Sequence, residues 1–298
     1  MTVPPYDFAR YLDAKSAVDD RALNATVREA LVKELSSLPT ETVLRTIEAG
    51  AGLGAMSRRL IRWLPHPLRC LLVDGDDTLV EKAAERMPEQ FRKEGWSVRR
   101  LAPRELELKT ERRSVTLKLE ARDALLPPSE PGEPCDLLVA HAFLDLPPLE
   151  EALKALFGLL RPGGLFYFTL VFDGCTVLQP PLDTSLDDLM EECYHRAMDK
   201  GEEAHSRTGR RLLDKLAGDG IPVLAAGSSD WLVYPPYAAE EPYFLHHILH
   251  FMEDALEGCP HLEPSRVRRW LAARHLQVER ERLVFMARHI DVLGRWRP

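Results

Sequence analysis

Thr46-Ile-Glu-Ala-Gly-Ala-Gly-Leu-Gly54 combines an apolar lead-in, an acid at Glu48 and glycines at 50, 52 and 54. It runs straight into Ala55-Met-Ser-Arg-Arg-Leu-Ile61, whose pattern predicts a helix. A strand, a glycine turn and a helix in that order let backbone N–H groups approach a ligand closely, because no Cβ stands in the way. The stretch therefore predicts a nucleotide-type cofactor site. Gly50-x-Gly52-x-x-Ala55 satisfies the dinucleotide fingerprint, which would mean NAD(P) or FAD.

Leu71-Leu-Val-Asp74 predicts a second buried strand ending in an acid. About twenty residues past a glycine turn, such an acid stands at the next strand tip, where it accepts ribose hydroxyls. Asp76 is the second choice for that role. Gly75 to Ala83 predicts a helix; Ala121-Arg-Asp-Ala124 follows the third strand, and Cys135-Asp-Leu-Leu-Val-Ala-His-Ala-Phe-Leu-Asp145 reads as a fourth strand and its exit loop. Leu159-Leu-Arg-Pro-Gly-Gly-Leu-Phe-Tyr-Phe168 reads as a helix end, a turn and a fifth strand.

Taken in this order, these residues resemble class I S-adenosylmethionine (SAM) methyltransferases. Glu48 to Gly54 is similar to their first motif, E-x-G-x-G-x-G, and Leu-x-Pro-Gly-Gly before the fifth strand is a frequent mark of them. The resemblance covers about residues 40 to 175, and Tyr11 to Asn24 is similar to a segment of a little-described bacterial group of such enzymes. It implies SAM as cofactor, S-adenosyl-L-homocysteine as product, and in-line methyl transfer to a small-molecule acceptor. It also implies Glu48, Gly50, Gly52 and Gly54 near the methionine and ribose parts, Asp74 on the ribose, and Asp123 with Ala124 beside the adenine. His141 and Asp145 would stand between cofactor and acceptor as catalytic groups, with His141 also open as a cofactor contact or a hydrogen-bonded loop histidine. Tyr11, Lys15 and Arg21 would belong to an N-terminal lid.

Composition agrees with an ordinary globular enzyme: 298 residues, 45% hydrophobic, 29% charged. The net charge of -8 argues against a general nucleic-acid binder, which needs a basic face to displace counterions. Arg99-Arg100 and Arg266 to Arg269 read as solvated helix or loop faces. The five cysteines have no C-x-x-C spacing, so neither a zinc site nor a disulfide framework is expected. The polar, proline-broken N-terminus is unlike a signal peptide, and no apolar run is long enough to span a bilayer. The expected location is the cytoplasm. Nothing in the sequence calls for a metal or sets an oligomeric state.

The elements predict an α/β, Rossmann-like, seven-stranded and mostly parallel sheet with its last strand antiparallel and helices on both faces. Strands are expected at 43–48, 69–74, 114–120, in the two stretches after Cys135 and before Phe168, and at 222–234 and 282–294. The last two pair antiparallel. Residues 1–40 form a helical lid; residues 41–298 form the main domain, with helical cap insertions at about 177–220 and 238–278. Within these, 187–200 and 207–216 are expected as helices, and Pro127 to Pro134 as a surface loop.

Candidate acceptor-pocket residues are Trp231, Tyr234, Tyr237, His246 and His250. His246-His247-x-x-His250 lacks the carboxylate of an H-E-x-x-H zinc helix. Tyr234-Pro-Pro-Tyr237 has a phenol where the amino-methyltransferases of DNA carry an acid. Two other functions stay open: an NAD(P)-dependent dehydrogenase, resting on Gly50-x-Gly52-x-x-Ala55, and a methyltransferase-like scaffold without catalysis.

Overall fold

The computed structural model describes residues 5–127, 132–199, 205–257, 259–260 and 262–298. Two helices come first, α1 (Phe8–Ala22) and α2 (Ala25–Ser36). Each opens on a side-chain cap: Asp7 accepts the Arg10 N–H and Asn24 the Val27 N–H. Next come β1 (Leu44–Ala49), α3 (Ala55–Trp63), β2 (Leu68–Asp74), α4 (Asp77–Lys93), β3 (Ser97–Ala102), β4 (Glu105–Lys109) and β5 (Ser114–Ala121). They are followed by β6 (Cys135–His141), α5 (Leu149–Phe157) and a long β7 (Leu160–Gln179). The rest is α6 (Thr184–Met198), α7 (Thr208–Gly218), β8 (Val223–Ser228), β9 (Trp231–Val233), α8 (Glu241–Leu256), α9 (Pro264–Glu279) and β10 (Val284–Arg295). Lys200, the expected end of one helix, and residues 128–131 of the proline-rich loop lie outside the described residues. Among the described residues no helix is long and apolar enough to cross a membrane.

The sheet runs β3-β4-β5-β2-β1-β6-β7-β10-β8, with β9 also on β10. Its centre, β5-β2-β1-β6-β7, is parallel, and β10 is antiparallel to both neighbours. The mostly parallel Rossmann-like sheet is therefore present, but the described residues hold ten strands, not seven. Two of the three extra strands form an antiparallel hairpin, β3 and β4, added beyond β5. Leu106 and Leu108 alternate with charged residues and are buried; Arg99 and Arg100, expected on a helix or loop, lie on the outermost strand, where Arg99 pairs with Glu107. Charge along an edge strand discourages pairing with another chain. The third extra strand comes from a break: residues 222–234 are interrupted at Ser229 and Asp230, yet Ser228 opposite Ile290 and Trp231 opposite Ala287 keep one register on β10.

Side chains alternate between two layers, as the period of a strand requires. Leu44, Leu72, Leu137 and Tyr167 pack with α2, α3 and α4; Ala49, Val73, Leu138 and Phe166 pack with α5 and α7. A third apolar cluster joins α1, α6, α8 and α9 to β9 and the far end of β7. The space between this cluster and the tips of the parallel strands is the site.

Candidate cofactor and acceptor site

A cavity of about 980 Å³ opens beyond the C-terminal ends of β1, β2, β5 and β6. This is where open parallel sheets bind ligands. The glycine turn after β1 forms one wall. Gly50, Gly52 and Gly54 have φ of 68°, 52° and 75°, the left-handed region that favours glycine. A Cβ at Gly50 would overlap the Phe143 ring, and one at Gly54 would overlap Met87. Gly50 and Gly52 line the cavity; Gly54 does not, and instead turns the chain into α3.

Carboxylates surround that turn. Glu48 is buried (3% exposed), accepts a hydrogen bond from Ser57, and has its pKa raised by burial to about 7 against the hydrogen bonds from Ser57. Asp74 accepts the N–H of Gly52 at 2.7 Å and of Asp76 at 2.9 Å, and lines the cavity. Asp76 lies off the cavity and caps α4 through Thr78 and Leu79. Asp123 and Ala124 line it from the loop after β5. Among the lining residues there are six carboxylates (Asp13, Asp19, Glu48, Asp74, Asp123, Asp145) and two cations, Lys15 and Arg58. Both cations are paired, with Asp19 and Glu94.

His141, at the tip of β6, is fully engaged: Nδ1 lies 2.8 Å from Thr169 Oγ1 and Nε2 lies 3.1 Å from Asp19 Oδ2. Burial lowers its pKa to about 4 against the pull of Asp19, so the ring is neutral near pH 7. An arrangement satisfying both contacts has Nε2–H donating to Asp19 and Nδ1 accepting from Thr169. Asp19 also accepts Lys15 Nζ at 2.6 Å and Trp231 Nε1 at 2.9 Å. Burial would raise the Asp19 pKa, but Lys15, His141 and Arg59 hold it well below the ordinary carboxylate range. These contacts fasten α1 to β6 and β9.

Asp145, four residues beyond β6, is different. Its Oδ1 is out of contact with solvent and has no hydrogen-bond partner among the described residues. Burial raises its pKa to about 6.

Asp19 was not among the residues expected here, although α1 signals it. Lys15 and Asp19 share a helical stripe with Tyr11, Ala14 and Val18, all buried, and charges on a buried stripe need a reason. Tyr11 and Lys15 line the cavity. Arg21 does not; it pairs with Glu241 on α8.

Of the five residues expected in the acceptor pocket, Trp231 alone lines the cavity. Tyr234 is 57% exposed, Tyr237 donates to the Leu283 carbonyl at 2.7 Å, His246 lies 2.7 Å from His275 (Nδ1 to Nδ1), and His250 stacks on Tyr6. For the two histidines the reason is helical phase. Ile248, Phe251 and Ala255 face the cavity from α8, and a residue two positions from Ile248 points about 200° away. Among the described residues no cluster of three or more His, Cys, Asp or Glu could hold a metal ion.

No protein-family model matches the chain, and no curated protein matches it. Many solved structures resemble it in fold. A SAM-dependent methyltransferase from Thiobacillus denitrificans, solved with S-adenosyl-L-homocysteine, is 17% identical, with TM-score 0.49, covering 99% of this chain and 100% of that one. YjhP from E. coli is 15% identical, with TM-score 0.47, covering 96% and 99%. Geranyl diphosphate C-methyltransferase from Streptomyces coelicolor is 11% identical, with TM-score 0.41, covering 90% and 80%. None of the three is similar enough to carry a function across.

Proposed function

We propose that the chain is a SAM-dependent methyltransferase acting on a small molecule. One observation carries this reading: a glycine turn of left-handed backbone opens onto a cavity rimmed by carboxylates, with no unpaired cation among the described lining residues. A dinucleotide needs the same turn to accept a diphosphate at the start of α3, but the buried Glu48 stands there, hydrogen-bonded to Ser57 of α3; Asp74 suits either cofactor. A ligand whose sulfonium and ammonium outweigh its single carboxylate fits such a site. Glu48, Gly50 and Gly52 would hold its methionine part, Asp74 its ribose hydroxyls, and Asp123 with Ala124 its adenine.

When bound, SAM supplies an electrophilic methyl group. The protein aligns the acceptor with it and excludes water. His141, with both nitrogens occupied, holds α1 in place and is no proton acceptor. Asp145, which lines the cavity, is placed to take a proton from the acceptor.

Thermal unfolding with SAM, S-adenosyl-L-homocysteine, NAD and NADP at equal concentration tests the reading. A ligand at ~100 times its dissociation constant stabilises the folded state by roughly 2.7 kcal/mol. A rise in midpoint with the two sulfur ligands alone supports it. A rise with NAD or NADP alone, or with none of the four, overturns it.

A further inference from the structure

The cavity has a second half that the cofactor residues do not occupy. Tyr11, Phe172, Tyr194, Trp231, Phe251 and Phe285 line it. Volumes near 1,000 Å³ lie at the upper end for single ligand sites, so a cofactor and an acceptor fit together.

Resting on the methyltransferase reading, we propose that this half takes a ring-bearing, otherwise uncharged acceptor, and that the methylated atom is a phenolic oxygen hydrogen-bonded to Asp145. The charges exclude the alternatives. A phosphate or carboxylate acceptor would be buried without a counter-charge, because Lys15 is held by Asp19 at 2.6 Å and Arg58 by Glu94 at 2.8 Å. An aliphatic amine arrives as an ammonium, and an ion pair with Asp145 would keep it protonated and its lone pair unavailable. A phenol enters neutral, packs among the aromatic side chains, and donates to the carboxylate of Asp145, which lines the cavity.

The step balances. An oxygen lone pair forms the new bond to the methyl carbon, and the pair of the breaking carbon–sulfur bond stays with sulfur, which becomes neutral. The hydroxyl proton passes to Asp145, which becomes a neutral acid.

The test uses four probes of one skeleton: 2-naphthol, 2-naphthyl phosphate, 2-naphthoate and 2-naphthylmethylamine. Each is titrated by calorimetry into protein saturated with S-adenosyl-L-homocysteine, then incubated with SAM and the product mass measured. The expected result is binding and methylation of 2-naphthol alone. Asp145→Asn should keep its affinity for S-adenosyl-L-homocysteine, showing that it folds, while methylation of 2-naphthol falls by about 100-fold or more. Tighter binding of the phosphate, the carboxylate or the amine overturns the proposal, as does silence from 2-naphthol or an unimpaired Asp145→Asn. If S-adenosyl-L-homocysteine itself fails to bind, the methyltransferase reading falls too.

Discussion

The two halves of the cavity are built by different means. The proposed cofactor half comes from loops that each follow a strand of the parallel sheet, and its shape is set by backbone: three left-handed glycines, and Asp74 holding the Gly52 N–H. The acceptor half is made of side chains from α1, α6, β7, β9, α8 and β10, gathered only by tertiary packing. Backbone walls tolerate few substitutions because the conformation itself is at stake. Side-chain walls fail only where a buried polar partner is lost, and otherwise can be repacked.

Asp19→Ala is the sharpest challenge to that contrast, because it strikes the side-chain half at its one polar knot. Lys15 would be left buried without its counter-charge, a change that costs about 3–5 kcal/mol; chemical denaturation should show the loss. The sign with pH follows from the depressed pKa. The contribution of Asp19 is fully present above the unfolded carboxylate value and is lost as pH falls through the lower folded one. Gly54→Ala tests the backbone half: strain at φ 75° should cost roughly 1–3 kcal/mol of stability, added to the overlap with Met87. Asp74→Ala should weaken SAM binding by about 10- to 150-fold in calorimetry, if the net loss amounts to one charge-assisted hydrogen bond worth roughly 1.5–3 kcal/mol. The rate with a phenolic acceptor should rise with pH through about 6, as Asp145 ionises, and level off above it. Tyr11, Lys15 and Tyr194 are the titratable groups facing that carboxylate, and Asp145→Asn should flatten the profile. The smallest effect belongs to Tyr234→Ala, exposed and outside the cavity, which should stay within about 0.5 kcal/mol of the parent in stability. A larger loss there would mean that the acceptor half extends over this surface.

The same division explains what the sequence made legible. The cofactor half is written in contiguous motifs, so Glu48, the glycines, Asp74 and the loop at Asp123 could be located without a structure. The carboxylate of Asp76, the second choice for the ribose, caps α4 instead of lining the cavity. The acceptor half depends on phase. His246 and His250 sit on a cap helix as expected, but the turn of α8 sends them away from the cavity and brings in Ile248 and Phe251. The hairpin β3–β4 was overlooked although Glu105-Leu-Glu-Leu-Lys109 alternates, because five residues beside Pro103 are a short signal. Asp19 could not be paired with His141 or Trp231 from sequence, because those partners are more than a hundred positions away.

Helix α1 belongs to both halves at once. Leu12 lies 3.1 Å from where a Gly52 Cβ would stand, while Tyr11 on the same helix stacks on His247 of α8 beside the acceptor walls. On the proposed reading, a single helix thus forms part of the boundary of two ligands. Whatever free energy either ligand contributes to seating that helix is already in place for the second. Thermodynamic reciprocity then fixes the consequence: the factor by which bound cofactor raises affinity for the acceptor equals the factor by which bound acceptor raises affinity for the cofactor.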